Sequence, residues 1–338
     1  MASSAPDTAA LVKTAQQLSE GIISSKGIPS EESTVHRLES IMAAASQLAN
    51  QIKSAPSGAK DTATANSTST LLSLDSKSTH SVSLPITVDL LSKLAHRVVS
   101  HPPVYLTPAI LTSYVSIQST LQRPTTIPEV FALYATKPAP VPGSDPVKYR
   151  STSPTAASQA IPSEVADLAL TAAIEAADLP LALAIIETSY GVRAFQRNKF
   201  VKRALPALTG LGLAPAAAIM VGSHLTTYTN AVDPAQLTAI TAAGILTYVA
   251  ATATIGFVAI TTRNDQMERV TWVTGLPLRQ RWLREEERAA VDRVAQAWGF
   301  KEVDRRGEEE GEEWEMLRDW CGLRGMILDR VDLMDGME

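Results

Sequence analysis

Between Arg203 and Arg263 the chain runs for 59 residues with a single formal charge, Asp233. This stretch contains two long apolar runs, at residues 204–223 and 237–262. A helix needs about 20 residues to cross the hydrocarbon core of a bilayer, and both runs reach that length. The sequence therefore predicts a two-helix transmembrane hairpin over residues 204–262. The competing interpretation is a buried helical hairpin in a soluble protein, because runs rich in Ala and Thr are only moderately apolar.

Basic residues flank the hairpin on one side only. Five Lys or Arg lie within residues 191–203, and Arg263 and Arg269 follow the second run, whereas the connection 224–236 has none. Such an excess marks the side of the membrane on which the flanks are retained, so we expect both termini on the matrix or cytosolic side. The N-terminus lacks a secretory apolar segment, and its first arginine is Arg37, unlike an Arg-rich transit peptide. Import into an organelle would therefore need an internal signal.

The remaining chain divides by composition. Apolar residues at three- and four-residue steps predict an amphipathic helix: Leu38, Ile41, Met42, Ala45, Leu48 and Ile52. Thr107-Pro108 predicts the start of another helix. A stretch with few apolar residues and a run of prolines predict the other boundaries. The predicted parts are an N-terminal segment 1–34 with one helix, a helical region 35–136 with a disordered stretch 56–83, a Pro-rich linker 137–160, a helical juxtamembrane region 161–203, the hairpin 204–262, and a C-terminal domain 263–338. No strand pattern competes anywhere. The predicted fold class is all-α.

The C-terminal domain is acidic and rich in tryptophan. Residues 263–338 carry 13 Lys or Arg against 19 Asp or Glu, and they contain all five tryptophans of the chain. Large aromatic side chains bury much area each, so we expect a small separate core. Pro277 predicts the first turn of a helix that ends near Trp298, and a second helix is expected over 309–321. Residues 326–328 and then Leu333-Met334 form a candidate docking segment. Neither residues 1–262 nor residues 263–338 are strongly basic as a whole, so direct nucleic-acid binding is not expected.

The sequence contains no convergent catalytic set, and we predict no cofactor and no metal. His96 and His101 are the closest histidines, and five residues separate them across a helix end. Gly210-Leu211-Gly212 lies inside an apolar run with no strand before it, so we predict close helix packing rather than a phosphate loop. Further small packing positions are Ala216, Ala217, Ala250, Ala251 and Gly256.

Three other features each have more than one interpretation. Asp233 precedes Pro234 and is favoured as a solvated turn residue over part of an ion path. Six glutamates between Glu308 and Glu315 are typical of a helix start, with a partner surface or a metal site as alternatives. Cys321 has no activating base nearby in sequence and is interpreted as structural, on one helix face with Trp314 and Leu317, rather than as a nucleophile.

The density of Trp and Arg after residue 270 is typical of protein interfaces. A self-contained core with charged faces is the equal alternative. The candidate partner-binding residues are Trp272, Arg279, Arg281, Trp282, Arg284, Arg288, Trp298, Trp314 and Trp320.

The architecture of residues 160–338 and the tail from Asn264-Asp265-Gln266-Met267 to Phe300 resemble fungal mitochondrial inner-membrane proteins. Those proteins have two spans and a matrix-facing C-terminal domain, and some are implicated in tethering the mitochondrial ribosome. The resemblance implies a mitochondrial inner membrane and a ribosome-associated partner. Contact with a ribosome would then be made through protein or through the basic segment 193–203.

The expected function is that of a non-enzymatic, two-pass membrane-anchored adaptor or assembly factor, with the bilayer and a protein as its partners. The alternative is a small oligomeric membrane carrier or pore subunit, with the hairpin associating through its small residues. A membrane enzyme is less favoured, since the hairpin interior lacks the His, Asp or Glu that intramembrane chemistry requires.

Overall fold

The computed structural model describes residues 13–14, 16–17, 19–21, 27–54, 78–141, 148–228, 233–262 and 268–329. Most of these residues are helical, which confirms the predicted helical class. The helices are α1 Glu31–Ser54, α2 Ser78–Ser100, α3 Pro108–Thr120, α4 Ile127–Thr136, α5 Ser163–Glu175, α6 Leu179–Ser189, α7 Arg193–Lys199, α8 Leu205–Leu225, α9 Pro234–Thr262, α10 Leu278–Leu283, α11 Glu285–Trp298 and α12 Glu312–Leu323. The strands are β1 Ala139–Pro140, β2 Tyr149–Arg150, β3 Val270–Trp272 and β4 Met326–Leu328.

The chain folds as two compact units. The first comprises Met1–Pro154 and Ile161–Ser189, and the second Thr155–Ala160 and Tyr190–Glu338. Residues 161–189 thus fold with the N-terminal helices, and residues 190–203 fold with the hairpin.

The first unit is a helical assembly in which α1 packs on α3, α3 on α5, and α6 on both α4 and α5. The three- and four-residue spacing of apolar side chains in α1 places Leu38, Ile41, Ala45 and Leu48 on its buried face, as predicted. The start of α3 is also as predicted. The Thr107 hydroxyl accepts a hydrogen bond from the Ile110 N–H at 3.4 Å, and Pro108 occupies the first turn.

Two polar side chains, Gln118 and Lys137, link elements within the first unit. The hydroxyl of Ser92 in α2 donates to Gln118 Oε1 of α3 at 2.8 Å, and the Gln118 amide donates back to the Ser92 carbonyl. The Lys137 ammonium donates to the Val99 and His101 carbonyls at 2.8 and 2.7 Å, at the C-terminal end of α2. Burial lowers the pKa of Lys137 to about 8. A cation placed there satisfies carbonyls that have no partner within the helix.

The prediction that the chain has no strands is wrong. Within the Pro-rich linker, β1 pairs with β2 antiparallel, with Ala139 opposite Arg150. In the C-terminal domain, β3 pairs with β4, with Thr271 opposite Ile327. Strands of two or three residues are too short to show a period-two pattern, so only the tertiary contacts reveal them.

Two predictions about the N-terminal region fall partly or wholly outside the described residues. The helix expected within 1–34 is described only over 13–14, 16–17 and 19–21, where the backbone is helical. Of the predicted disordered stretch 56–83, residues 56–77 lie outside the described ranges. Residues 78–83 are helical and begin α2, which corrects that boundary.

Two helices of the second unit are long and apolar enough to span a membrane. One runs from Arg193 to Leu225 through a π-helical turn at Phe200–Ala204, and the other is Pro234–Ile260. Their most apolar windows are 6% and 0% buried, and α8 packs along α9. Asp233 is exposed and directly precedes α9, as expected of a turn residue. Unlike the core helices of the first unit, this pair turns its apolar side chains outward.

The helices of the hairpin approach closely at positions other than those expected. A Cβ built on Gly222 would lie 2.8 Å from the Thr238 carbonyl oxygen, and Ala218 and Ala242 are buried. A Cβ on Gly210 or Gly212 would meet nothing within 4 Å, so these glycines do not serve close packing here. The predicted small positions Ala216, Ala217, Ala250 and Ala251 are exposed, and Gly256 is half-buried. Both long helices are uniformly apolar, so their composition could not identify the contacting face.

Candidate functional site

The C-terminal domain is organised around one edge of β3. The Asp292 carboxylate of α11 accepts hydrogen bonds from the backbone N–H groups of Arg269 and Val270 at 2.8 and 2.7 Å. On the same edge, Arg288 of α11 donates to the Val270 carbonyl at 3.0 Å. The opposite edge of β3 pairs with β4. Side chains of α11 thus take the place of a third strand and satisfy backbone groups that would otherwise be buried without partners.

Arg269 lies at the centre of this domain with its side chain fully buried. Its guanidinium donates to Glu309 at 2.6 Å and to both oxygens of Asp329 at 2.9 and 2.6 Å, and it lies 4.6 Å from the centre of the Trp314 ring. Burial raises the pKa of Glu309, but hydrogen bonds from Arg269 and from backbone N–H groups outweigh burial and hold that pKa below its ordinary value. The buried cation is therefore compensated by two carboxylates.

A second charged cluster joins α11 to the end of α12. Glu287 is 1% exposed and accepts from Arg284 at 2.9 Å and from Arg324 at 2.9 Å. Arg284 also donates to the Arg324 carbonyl. These contacts lie where the predicted single helix from Pro277 to Trp298 divides into α10 and α11, since Arg284 leaves helical geometry at φ −109° and ψ 14°. The prediction of an unbroken helix is wrong at this residue.

The second predicted helix also starts later than expected. α12 begins at Glu312 rather than at Glu309, because the Glu309 side chain is engaged with Arg269 and the Phe300 and Gly307 N–H groups. Glu312, Glu313 and Glu315 occupy its first turn, as the helix-start interpretation of the glutamate cluster predicted. Of the predicted docking segment, residues 326–328 form β4, which is paired within the domain, and Leu333-Met334 lies outside the described residues.

Cys321 shares the buried face of α12 with Trp314 and Leu317, as predicted. Burial raises the pKa of its thiol to about 12. The thiolate is the reactive form of cysteine, so this side chain is inert at neutral pH.

The nine candidate partner-binding residues divide into buried, half-buried and exposed sets. Trp272, Trp314 and Arg288 are buried in the domain core. Arg281, Trp282, Arg284, Trp298 and Trp320 are half-buried, and Arg279 is exposed. The indole N–H groups of Trp272 and Trp298 donate to Glu285 and Glu313, both at 3.1 Å, and the Arg324 guanidinium lies 4.1 Å from the Trp320 ring centre. Part of the Trp and Arg density is therefore explained by the core of this domain.

Trp282 and its neighbours in α10 and α11 instead contact the base of the hairpin, where its apolar helices meet the C-terminal domain. α10 packs against α9, and Lys199 of α7 donates to the Trp282 carbonyl and to Glu286. The Lys199 ammonium lies 4.8 Å from the Trp282 ring centre, and Arg203 approaches Glu286 at 3.4 Å. The Lys199 side chain is only 5% exposed. These contacts fix the C-terminal domain to the helix that enters the hairpin.

Sequence reasoning does not place Lys199, Glu286, Arg269 or Asp292 among the candidate site residues, and it names Arg269 only as a basic residue that flanks the hairpin. For Lys199 a signal exists, because it lies four residues after the buried Phe195 and hence on the same helix face. Arg269 and Asp292 carry no such signal, since they are 23 residues apart and meet through the fold alone.

The domain also carries two exposed apolar side chains on one face of α12. Met316 and Leu323 are 41% and 90% exposed and lie seven residues apart, hence on the same side of the helix. An open groove of about 530 Å³ runs along β4, and its lining includes Arg318 and Gly322 of α12 but neither Met316 nor Leu323. We call the exposed pair Met316 and Leu323 the α12 surface.

Among the described residues, no group of three or more His, Cys, Asp or Glu side chains could hold a metal ion. Comparison of the chain with protein-family models, curated proteins and solved structures finds no match.

Proposed function

We propose that this protein is a non-enzymatic, two-pass membrane-anchored adaptor or assembly factor. The observation that carries the proposal is the fusion of an outward-apolar helical hairpin to a charged, tryptophan-rich domain that packs directly on its base. Exposed apolar surface on this scale is costly in water and favourable in hydrocarbon. The hairpin therefore supplies the anchor, and the C-terminal domain is the part held at the membrane surface.

Insertion is tested by carbonate extraction of membranes from cells that express the full chain. Retention of the protein in the membrane pellet is the expected result, and release into the supernatant contradicts an integral hairpin. Protease protection with tags on both termini tests the orientation. The basic flanks predict that both tags share one compartment.

The mitochondrial inner membrane, with both termini in the matrix, is the location we propose. The resemblance in architecture supports it, and the acidic domain favours a protein contact over ribosomal RNA. Organelle fractionation followed by rupture of the outer membrane measures this directly. Protection of both termini in mitoplasts is expected, whereas cleavage at either one contradicts the orientation.

We propose that the α12 surface contacts the partner protein. Met316 and Leu323 are exposed aliphatic side chains that the domain's own core does not use. A double substitution of both residues by Glu is expected to abolish recovery of a stoichiometric partner from detergent extracts, while the tryptophan fluorescence stays unchanged. Val273→Glu is the matched control, because Val273 is also exposed but lies by α10, where its carbonyl accepts from Arg281. Equal loss of the partner in both variants would contradict a site on α12.

A pore or carrier subunit is the second candidate. An apolar groove of about 570 Å³ between α8 and α9, lined by residues such as Leu211, Val249 and Phe257, could receive a helix of a second copy. This candidate predicts a native size well above that of a monomer and solute flux in proteoliposomes. A monomer without flux excludes it.

A further inference from the structure

Two basic segments that are distant in sequence converge at the base of the hairpin. Residues 193–203 and 278–283 together contain seven Lys or Arg and no Asp or Glu. The first segment leads directly into α8, and the second is α10, which packs on α9. The contact of Lys199 with the Trp282 carbonyl joins the two segments, and Arg203 contacts Glu286 just beyond the second segment. Their positive charge is therefore concentrated where the apolar surface begins.

Most of this charge faces solvent. Arg197, Lys202, Arg203 and Arg279 are exposed and Arg281 is half-buried, and we call these five residues the basic collar. Glu286 approaches Lys199 and Arg203 and offsets part of the charge. The neighbouring acids are engaged elsewhere, Glu285 with Arg288 and Glu287 with Arg284 and Arg324. The collar consequently keeps a net positive charge.

The collar borders exposed apolar surface without a gap. Val201 and Leu205 are 47% and 44% exposed within the same helical turns as Lys202 and Arg203. Trp282, whose ring centre lies 4.8 Å from the Lys199 ammonium, is half-buried. Alternation of basic, aromatic and apolar side chains over one or two turns is typical of residues at the headgroup level of a bilayer.

We propose that the basic collar binds the phosphate headgroups of anionic phospholipids in the leaflet where α8 begins and α9 ends. The proposal rests on the membrane anchoring proposed above and specifies the lipid class that the anchor selects. Guanidinium groups suit this role, because each carries five N–H donors. Arg197, Arg203 and Arg281 therefore retain donors for phosphate oxygens beside their contacts with Thr155, Glu286 and the Leu276 and Val273 carbonyls. The acyl chains of the same lipid lie against the apolar start of α8, which a free phosphate ion could not use. Headgroup binding holds α10, and with it the C-terminal domain, at the membrane surface.

The test uses the full chain in a neutral detergent and native mass spectrometry to count bound lipids. Short-chain phosphatidylglycerol, phosphatidylcholine and inorganic phosphate are titrated separately. Tighter binding of phosphatidylglycerol than of the other two is expected. Each basic residue near an anionic membrane surface contributes about a fivefold factor in affinity, so the K202Q/R279Q variant is expected to bind phosphatidylglycerol about 25-fold more weakly.

The matched control is the K301Q/R318Q variant. Lys301 and Arg318 are exposed and basic, and neither forms a hydrogen bond or ion pair with the described residues of α7, α8 or α10. Lys301 follows the far end of α11, whose axis is about 20 Å long, and Arg318 lies in the middle of α12, about two turns before Arg324 meets the start of α11. This variant is expected to retain the wild-type affinity. Tryptophan fluorescence of both variants checks that the domain is folded, because all five tryptophans lie in it. Lys202 and Arg279 make no ion pair among the described residues, so their substitution is expected to leave the fold unchanged.

Three outcomes overturn the proposal. They are equal affinity for the two lipids, binding of inorganic phosphate as tightly as of phosphatidylglycerol, and equal loss of affinity in the control variant. Carbonate extraction of the wild-type protein separates this failure from failure of the anchor. A protein that resists extraction but does not select phosphatidylglycerol is an anchor without a lipid-selective collar, and a protein that is extracted overturns both proposals.

Discussion

The hairpin and the C-terminal domain distribute their polar and apolar side chains in opposite ways. In α8 and α9, large aliphatic residues such as Leu213, Met220 and Ile255 are 68–71% exposed. In the C-terminal domain, by contrast, the charged side chains of Arg269 and Arg288 are fully buried. The hairpin satisfies its backbone within its own helices, while the domain satisfies β3 with side chains from α11.

The difference indicates that the two regions are adapted to different solvents. An outward-apolar helix pair needs a hydrocarbon environment, because its residual surface would be costly in water. A small domain with few aliphatic side chains instead depends on buried pairs of opposite charge. Removal of one partner from such a pair lowers the free energy of unfolding by much more than the intact pair adds to it. We therefore expect substitutions in the domain to act on its stability and substitutions in the hairpin to act on helix packing.

Substitution of Arg269 by Met is the largest expected effect. It leaves the Glu309 and Asp329 carboxylates without their shared cation in the interior of the domain. Breaking a buried pair in this way costs about 3–5 kcal/mol of unfolding free energy. All five tryptophans lie in the C-terminal domain, so denaturant titration of the full chain, followed by tryptophan fluorescence in detergent, reports the unfolding of this domain alone.

Arg318→Met is the control for that experiment. Arg318 is exposed on α12, and a surface substitution away from buried contacts changes stability by about 0.5 kcal/mol or less. If both variants lost the same stability, the buried charge cluster would not be what holds the domain together.

Gly299→Ala is expected to have the next largest effect. A Cβ at this position would lie 1.5 Å from the Arg269 guanidinium and 2.8 Å from Glu309 Oε1, so the central cluster would have to shift. Overpacking of this kind costs about 1–3 kcal/mol, measured by the same fluorescence titration. Gly322→Ala is the matched control, because a Cβ there meets nothing within 4 Å. Equal midpoints for the two variants would show that the cluster can relax around the added methyl group.

The sequence predicts features that depend on local spacing and does not predict those that depend on the fold. The extent of the apolar runs, the buried face of α1 and the Thr107 start of α3 follow from periodicity and capping chemistry. The β3–β4 pair joins residues more than 50 positions apart, and the environment of Arg269 requires Glu309 and Asp329 to meet. For the candidate site, residue type predicted an interface rich in Trp and Arg, but it could not separate the buried Trp272 from the exposed Arg279.

In the hairpin, Gly222→Ala is expected to alter packing without unfolding the C-terminal domain. The new methyl group would lie 2.8 Å from the Thr238 carbonyl, so α8 and α9 must separate locally. Spin labels at Met220→Cys and Ile240→Cys, both exposed, report the helix separation by pulsed EPR in nanodiscs. Cys321 is buried, with a thiol pKa of about 12, and stays unlabelled. A longer mean distance is expected for Gly222→Ala and an unchanged one for Gly212→Ala; equal distances would place the helix contact elsewhere.

The smallest expected effect is a dependence on pH confined to the C-terminal domain. The folded pKa of Glu309 lies below its ordinary value of 4.5, so the carboxylate stabilises the fold above about pH 4.5, and this stability is lost as the pH falls through the folded pKa. The thermal midpoint followed by tryptophan fluorescence should therefore drop between neutral pH and pH 3, and it should drop less steeply in the Glu309→Gln variant.

The control is Glu310→Gln, at an exposed neighbouring residue, which should keep the wild-type dependence of the midpoint on pH. The helical hairpin should show no comparable change, since Asp233 is the only acid between residues 204 and 262. Identical slopes in the two variants would remove Glu309 as the source of acid sensitivity.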